Sequence, residues 1–377
     1  MGGFPTVTDV ARAAGVSRQT VSNVMNSPGI VRADTRQRVE AVIKELGYRP
    51  HASARRLRTR RSSTIGIRLD PMIDGISGSV LDRFLHALTE QADAQGLRVL
   101  LFTATSPEDE ITQFRRLNDG ADVDGFVLTS TFAGDPRTHW LIENGISFVT
   151  FGRPWGVDDM NDPQHLWVDV DGWAGLHEAT RAQQEAGARR VAYIGWPSPS
   201  GSGDERRRGW YDAMTERGDV SADDLAELEI VTPDGVSQGT AAMARLRQNA
   251  GRIDAVLCAS DSLALGAMIA NPERVPVTGY DNTPVAAAIG LSSVDQAVDE
   301  VAAGVLALLT GEFGGKVHGA PESAEPRHRL VTPRLVVREF AAIPMDVPQD
   351  VRLDVPQSVP QSVPQDVPLD VPLDVPQ

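Results

Sequence analysis

From residue 64 onward the chain repeats one unit: a short apolar run, a turn, and an amphipathic stretch long enough for a helix. Short apolar runs without polar alternation suit strands covered on both faces, and therefore parallel sheets. The first series places strands at 64–69, 98–102, 125–130 and 147–151, with helices at 80–94, 107–118 and 136–143. A second series opens with a strand at 167–170 and continues with strands at 190–195, 227–231, 255–260 and 277–280. Its helices fall at 173–185, 205–217, 237–248 and 262–270. Two series predict an α/β body of two doubly wound subdomains. The first covers about 62–165 and 295–325, the second about 166–292 and 327–340. Such sheets bind ligands outside the carboxyl ends of their strands.

The signatures of nucleotide binding and zinc chemistry do not occupy those strand ends. No Gly-x-Gly-x-x-Gly follows a strand, and the glycine-rich run at 311–317 lacks both Walker spacing and a hydroxyl after Lys316. There is no His-Glu-x-x-His, and the seven histidines are scattered. The body reads as a binder rather than an enzyme, with no cofactor and no metal. Cys258, the single cysteine, excludes an intrachain disulfide and sits in an apolar strand. No run of about 18 apolar residues is present to span a membrane. Gly2-Gly3-Phe4-Pro5 has no signal-peptide character, so a cytoplasmic, nucleoid-associated protein is expected.

Residues 6–61 break the composition. They hold 12 Arg or Lys against Asp9, Asp34, Glu40 and Glu45, a net of +8, on a chain of net charge −15. This is a small module that meets a polyanion, joined to a body that does not. Thr6 or Thr8 caps a first helix with Val7, Val10, Ala11 and Ala14 at helical spacing. Gly15 permits a tight turn, Val16 plugs the angle, and Ser17 caps a second helix from Arg18 to about Asn26. Val21, Val24 and Met25 face inward. A third helix spans 33–46, with Val39, Val42, Ile43 and Leu46 on its apolar side and Gly47 as its C-cap.

An ordinary three-helix bundle with a basic face is the bland reading. The turn chemistry and local charge together favour a helix-turn-helix on duplex DNA. The second helix then enters the major groove N-terminus first. Arg18, Gln19 and Asn23 face base edges, where Arg suits guanine and Gln or Asn suits adenine. Thr8, Ser17, Thr20, Ser22 and Arg36 face phosphates.

The run Val7-Thr8-Asp9-Val10-Ala11-Arg12-Ala13-Ala14-Gly15-Val16-Ser17-Arg18-Gln19-Thr20-Val21-Ser22-Asn23-Val24-Met25-Asn26 resembles the DNA-binding signature of the lactose-repressor (LacI/GalR) family. Thr35-Arg36, Leu46-Gly47-Tyr48-Arg49-Pro50 and Ala52-Ser53-Ala54-Arg55-Arg56-Leu57-Arg58 continue it in register. Asn23 departs from the usual Arg, and His51 stands where Asn is commoner. The resemblance runs to about residue 340. It implies a helix-turn-helix domain at 6–50, a hinge at 51–61 and a periplasmic-binding-protein-like body at 62–340.

On physical grounds alone the hinge is a linker or one to two turns of helix. The resemblance implies that it folds on DNA and pairs with its copy in the minor groove. Leu57 would be the wedge, Ala54 the close helix contact, and Arg55 and Arg58 the groove contacts. It also implies a homodimer reading a pseudo-palindromic operator, a repressor of carbohydrate-utilisation genes under the control of a small effector. In the cleft it implies Arg206, from Arg206-Arg207-Arg208-Gly209, and Asp281, from Gly279-Tyr280-Asp281-Asn282. Ser260, Asp171, Phe151, Arg153 and Trp167 complete the expected effector set, with Asp261 expected to cap the helix after Ser260. Trp155, Trp167 and Trp196 lie near strand ends, where an aromatic face either stacks on a sugar or packs in the core. Asp, Arg and Ser suit a neutral polyhydroxylated ligand, a sugar; a purine or other nonsugar corepressor is the alternative, and the body alone would also support a solute-binding protein, against which the DNA module argues.

Residues 346–377 are eight tetrapeptides of the form Asp/Ser-Val-Pro-Gln/Leu, with Arg352 replacing one Pro. Proline at every fourth position excludes a helix and a central strand, so a disordered tail is expected from 344 to 377. Such a tail cannot form a leucine-repeat tetramerisation helix, and a dimer is favoured.

Overall fold

The computed structural model describes residues 5–48, 61–69, 78–218, 220–313 and 327–338. The expected hinge residues Ala54, Arg55, Leu57 and Arg58 lie outside them, as does the proline-repeat segment.

The basic module holds three helices, α1 (Val7–Ala14), α2 (Arg18–Asn26) and α3 (Ala33–Leu46). Thr6 rather than Thr8 caps α1. Asp9 N–H donates to Thr6 Oγ1 at 3.4 Å, and Thr6 N–H donates back to Asp9 Oδ2 at 2.9 Å. Gly15 ends α1 at φ 65°, a left-handed conformation that turns the chain sharply into α2. Val10, Ala11, Ala14, Val21, Val24 and Val39 form a small core. Leu46, expected to face inward, is 37% exposed. Gly47, also left-handed, reverses the chain there and sends Tyr48 into the core instead.

The first sheet begins with β1 (Thr64–Arg68), α4 (Gly78–Ala94), β2 (Arg98–Phe102), α5 (Pro107–Asp119), β3 (Gly125–Leu128), α6 (Pro136–Glu143) and β4 (Phe148–Phe151). Then β5 (Leu166–Val170) follows without an intervening helix. The second sheet takes α7 (Gly172–Glu185), β6 (Val191–Gly195), α8 (Gly201–Thr215), α9 (Ala222–Leu228), β7 (Glu229–Val231), α10 (Val236–Asn249) and β8 (Ala255–Cys258). It continues through α11 (Asp261–Ile269), β9 (Val277–Tyr280), α12 (Pro284–Ala288) and β10 (Ser292–Asp295). The chain then returns as α13 (Val298–Phe313) and ends with β11 (His328–Val331) and β12 (Arg334–Val336).

The strand orders are β11-β5-β4-β3-β1-β2 and β12-β10-β9-β8-β6-β7. All neighbours are parallel except β10 and β12. Each order reverses beside its first strand, which makes a switch point at β1/β3 and another at β6/β8.

Three expectations need correction. The strand at 166–170 does not open the second series; it pairs with β4, Val149 opposite Leu166, and closes the first. Strand β11 likewise belongs to the first sheet, pairing His328 with Trp167. The loop at 152–165 returns the chain without a helix, so a strand of the first sheet reads in sequence like the start of a new series. Residues 222–228, expected as loop and strand, form α9, started by a Ser221–Asp224 capping box.

Aliphatic and aromatic residues fill both faces of the first sheet. One core lies beneath α4 and α13, around Phe84, Val149, Val168 and Val305; the other beneath α5 and α6, around Phe114, Phe126 and Leu141. In the second lobe Trp210 is fully buried, donates from Nε1 to Val191 O at 2.9 Å and stacks on Tyr193. Beside it, Gly209 has no room for a side chain: a Cβ would stand 2.2 Å from Trp173 O. The missing Cβ lets α8 lie on the backbone of α7. One turn earlier on α8, Arg206 is thereby held at the carboxyl ends of the strands.

Candidate functional site

In the basic module, Ser17 Oγ caps α2 by accepting from Thr20 N–H at 3.1 Å. The Ser17 and Thr20 hydroxyls are also bonded to each other at 2.9 Å, so the pair has one hydroxyl hydrogen left for an outside acceptor. Arg18 and Gln19 are exposed at the helix start. Gln19 Nε2 donates to Asn23 Oδ1 at 3.0 Å, one turn on. Two of the three expected base readers thus form one amide pair on one face of α2. Thr8 is exposed on the first turn of α1, Ser22 is half-buried, and Arg36 lies 3.9 Å from Glu40.

In the body, the centre is Arg206, only 6% exposed. Its guanidinium lies 3.7 Å from the Tyr280 ring centroid and 5.0 Å from that of Trp196. Nη1 donates to Ala259 O at 2.6 Å and lies 3.9 Å from Asp281 Oδ1. Nε is buried without a hydrogen-bond partner among the described residues. Asp281 takes a hydrogen bond from Gln296 Nε2 at 2.6 Å. Burial pushes the Asp281 carboxyl up to about 7, against the opposing pull of Arg206. Burial wins because the guanidinium stands nearly 4 Å off and spends Nη1 on a carbonyl. Asp281 is also held at φ 112°, a conformation uncommon for any residue but glycine.

Around this centre, Ser260 caps α11 by accepting from Leu263 N–H at 3.2 Å and donates to Asp234. Trp196 Nε1 donates to the same carboxylate at 3.3 Å. The cap is therefore Ser260, not Asp261. Asp261 instead turns back into the lobe, accepting from Thr283 N–H at 2.7 Å and Ser293 Oγ at 2.6 Å.

Ties that cross between the lobes include Arg334 of β12 on Glu300 of α13, and two others adjoin this cluster. Arg153, after β4, donates from Nε to Asp169 at 2.8 Å and from Nη2 to Glu205 of α8 at 3.2 Å, with its guanidinium over Trp155. Arg83, on α4, donates to Asp281 O at 3.3 Å, Asn282 O at 3.1 Å and Asp295 Oδ2 at 3.3 Å. Asn282, left-handed at φ 47°, donates to the same Asp295 oxygen at 2.6 Å. A single arginine of the first lobe thus grips the peptide carbonyl of the carboxylate beside Arg206.

Residues 6–51 match the family model described as "Bacterial regulatory proteins, lacI family", and residues 79–302 match "Periplasmic binding proteins and sugar binding domain of LacI family". The transcriptional regulator CelR of Thermobifida fusca is 34% identical over 356 residues, covering 89% of this chain and 98% of the relative. The chain belongs to the LacI family. A regulator of this family is a DNA-binding transcription factor, and its relatives are regulators rather than enzymes. The regulator AglR of Rhizobium meliloti is 33% identical across 74% of this chain and 76% of its own length. A solved CelR–cellobiose complex superposes with a TM-score of 0.62 at 30% identity, covering 89% of this chain and 99% of that one. A lac repressor dimer bound to operator and an anti-inducer gives 0.69 at 24% identity, covering 90% and 99%, and speaks to the fold alone.

In this LacI-family body, Arg206, Asp281 and Ser260 come together as one cluster. Asp171 stands apart from their hydrogen bonds: it caps α7, accepting from Ala174 N–H at 2.8 Å. Phe151 packs into the first core against Phe84, ring centroids 4.9 Å apart. Trp167 stacks on His328 and donates from Nε1 to Met160 O at 2.7 Å, so both its ring and its donor are used within the first lobe. Sequence reasoning did not pick out Asp234, Tyr280 beneath Arg206, or Arg83. Asp234 sits in a loop without a motif, and Arg83 resembles any solvent-facing arginine of an amphipathic helix. The run at 235–239 has Gly-x-Ser-x-Gly spacing, but Ser237 donates to Gln238, and no histidine bonds to it among the described residues. No helix among the described residues is long and apolar enough to cross a membrane.

Proposed function

We propose that the regulator is a homodimeric repressor of carbohydrate-utilisation genes whose grip on a pseudo-palindromic operator is set by a sugar bound between the lobes. The observation that carries this reading is the Arg206–Asp281–Gln296 cluster flanked by Tyr280 and Trp196. One cation, one buried carboxylate and one amide, beside aromatic faces, suit a ligand with many hydroxyls and no charge. The cellobiose bound by CelR is of that chemistry. Arg206 supplies donors, Asp281 accepts a hydroxyl hydrogen, and Trp196 offers an apolar face. Arg153 acts as a lobe tie rather than a direct ligand contact, because two carboxylates hold it. Arg18, Gln19 and Asn23 read bases, while Thr8, Ser17, Thr20, Ser22 and Arg36 hold the backbone. Ala54, Arg55, Leu57 and Arg58 serve the minor groove.

Operator binding measured by fluorescence anisotropy should fall steeply with salt, on the order of a thousandfold between 50 and 200 mM. Leu57→Ala should weaken operator binding while leaving binding to unrelated duplex nearly unchanged. Salt-insensitive binding would overturn the DNA reading, and equal loss on both duplexes would overturn the wedge.

Effector affinity should depend on pH. A hydroxyl donor selects the ionised Asp281, whose carboxyl titrates at about 7. Below that pH the ligand must displace a proton, so affinity falls by about tenfold per pH unit, and above it affinity levels off. Calorimetry at pH 6 and pH 8 checks this, and Asp281→Asn should flatten the profile. A flat wild-type profile counts against Asp281 as the acceptor.

A further inference from the structure

The loops after β3 and β4 enclose a cavity of about 450 Å³ on the first lobe, lined by Phe132, Thr138, Trp155, Val157, Asp159 and Asp162 among others. The Arg206–Asp281 cluster does not account for it. Phe132 and Val157 are 42% and 45% exposed, two large apolar side chains left facing one open space. The walls are fixed before any ligand arrives. Arg137, only 1% exposed, donates to Thr129 O at 3.2 Å and Ser130 O at 3.1 Å, the carbonyls just before Thr131 and Phe132. Asp135 and Glu110 hold that guanidinium in turn at 2.6 and 2.9 Å, and Phe132 lies over it. The opposite loop touches the first at Gly156, where a Cβ would come within 2.8 Å of Ala133.

The lining has a defined chemistry. An apolar ring face stands beside the Thr131 and Thr138 hydroxyls, the carboxylates of Asp159 and Asp162, and the imidazoles of His139 and His165, the last held neutral by burial. Each of those carboxylates accepts one loop amide at 2.8 Å through Oδ1. Apolar face plus neutral and anionic acceptors fits a neutral sugar ring, with its C–H face on Phe132 and its hydroxyls on the oxygens. The same carboxylates repel a phosphate-bearing ligand. Trp155 lines this cavity and also reaches the second lobe. Its ring packs on Gly201, at the start of α8, the helix that carries Arg206 five residues on.

We propose that this cavity is the subsite for a second sugar ring. On this view the effector is an oligosaccharide whose first ring lies at Arg206 and Asp281. The inference rests on the sugar reading above. Phe132 is its specificity-determining residue.

The test is calorimetry on the full chain with glucose, galactose, cellobiose, lactose, maltose and trehalose. One disaccharide should bind at least about tenfold more tightly than either monosaccharide, the gain expected from one well-placed ring. Phe132→Ala should erase that margin, leave monosaccharide and operator binding unchanged, and preserve the melting temperature; Phe132→Tyr should restore the margin. The proposal is overturned if a monosaccharide binds as tightly as every disaccharide, or if Phe132→Ala leaves the margin intact; either result leaves the sugar reading standing. Binding of none of the six would remove both.

Discussion

Arg206→Ala is expected to leave operator binding unchanged and to silence the response to effector. The guanidinium touches no part of the basic module's own structure. In the cleft it is the buried cation, with Nε still without a partner among the described residues. A hydrogen bond to a charged group contributes about 1.5–3 kcal/mol, so loss of one contact weakens the effector by about ten- to a hundredfold. Loss of the whole fork should exceed that. Without Arg206, Asp281 also loses the charge that favours its ionised form, and its carboxyl shifts further upward. Asp281→Asn keeps the shape and a carbonyl for Gln296, so its loss should fall within the ten- to hundredfold range. Calorimetry with the effector and anisotropy with the operator separate the two functions. Effector binding unchanged in both variants would move the site elsewhere.

Arg83→Met should produce the complementary defect, binding without response. Methionine keeps the unbranched stem on α4 and removes the fork that grips Asp281 O, Asn282 O and Asp295. Neither oxygen of the Asp281 carboxylate is among those contacts, so effector affinity should stay within a few-fold of wild type. The link from the strained Asp281–Asn282 turn to the first lobe is lost. Coupling between two sites is typically worth 5- to 150-fold in affinity, and about tenfold of it should disappear. Operator titrations with and without saturating effector measure it directly. A wild-type ratio in the variant would reduce Arg83 to a tie between lobes.

The sequence made some of this architecture plain and concealed the rest for physical reasons. Buried parallel strands announce themselves as apolar runs, so most strands fell within a residue or two of expectation. Sheet membership did not, because β5 and β11 look like any other strand and their partners are distant in the chain. Arg206 was legible only through the family resemblance; the structure supplies the physical reason, since a spacing of three on a helix joins the close backbone contact at Gly209 to a side chain one turn away. Phe151 was placed at the right strand end but packs inward, since a strand end fixes position and not which face a side chain takes; Trp167 lies near the amino end of β5, the opposite end from a cleft residue. Asn282 and Arg83 were opaque. Their roles depend on a left-handed turn and on a partner about 200 residues away in sequence, and neither leaves a local pattern.

The chain passes between the sheets after β5, after β10 and again between β11 and β12. During synthesis this imposes an order of events. The first sheet needs β11 at its edge and α13 over its face, and both are made only after the whole second sheet except β12. A ribosome therefore releases the second lobe's central strands while the first lobe still lacks its outer strand and one covering helix. The first lobe waits, partly open, for almost the full length of the body, and that interval is when a holding chaperone would find apolar surface to bind.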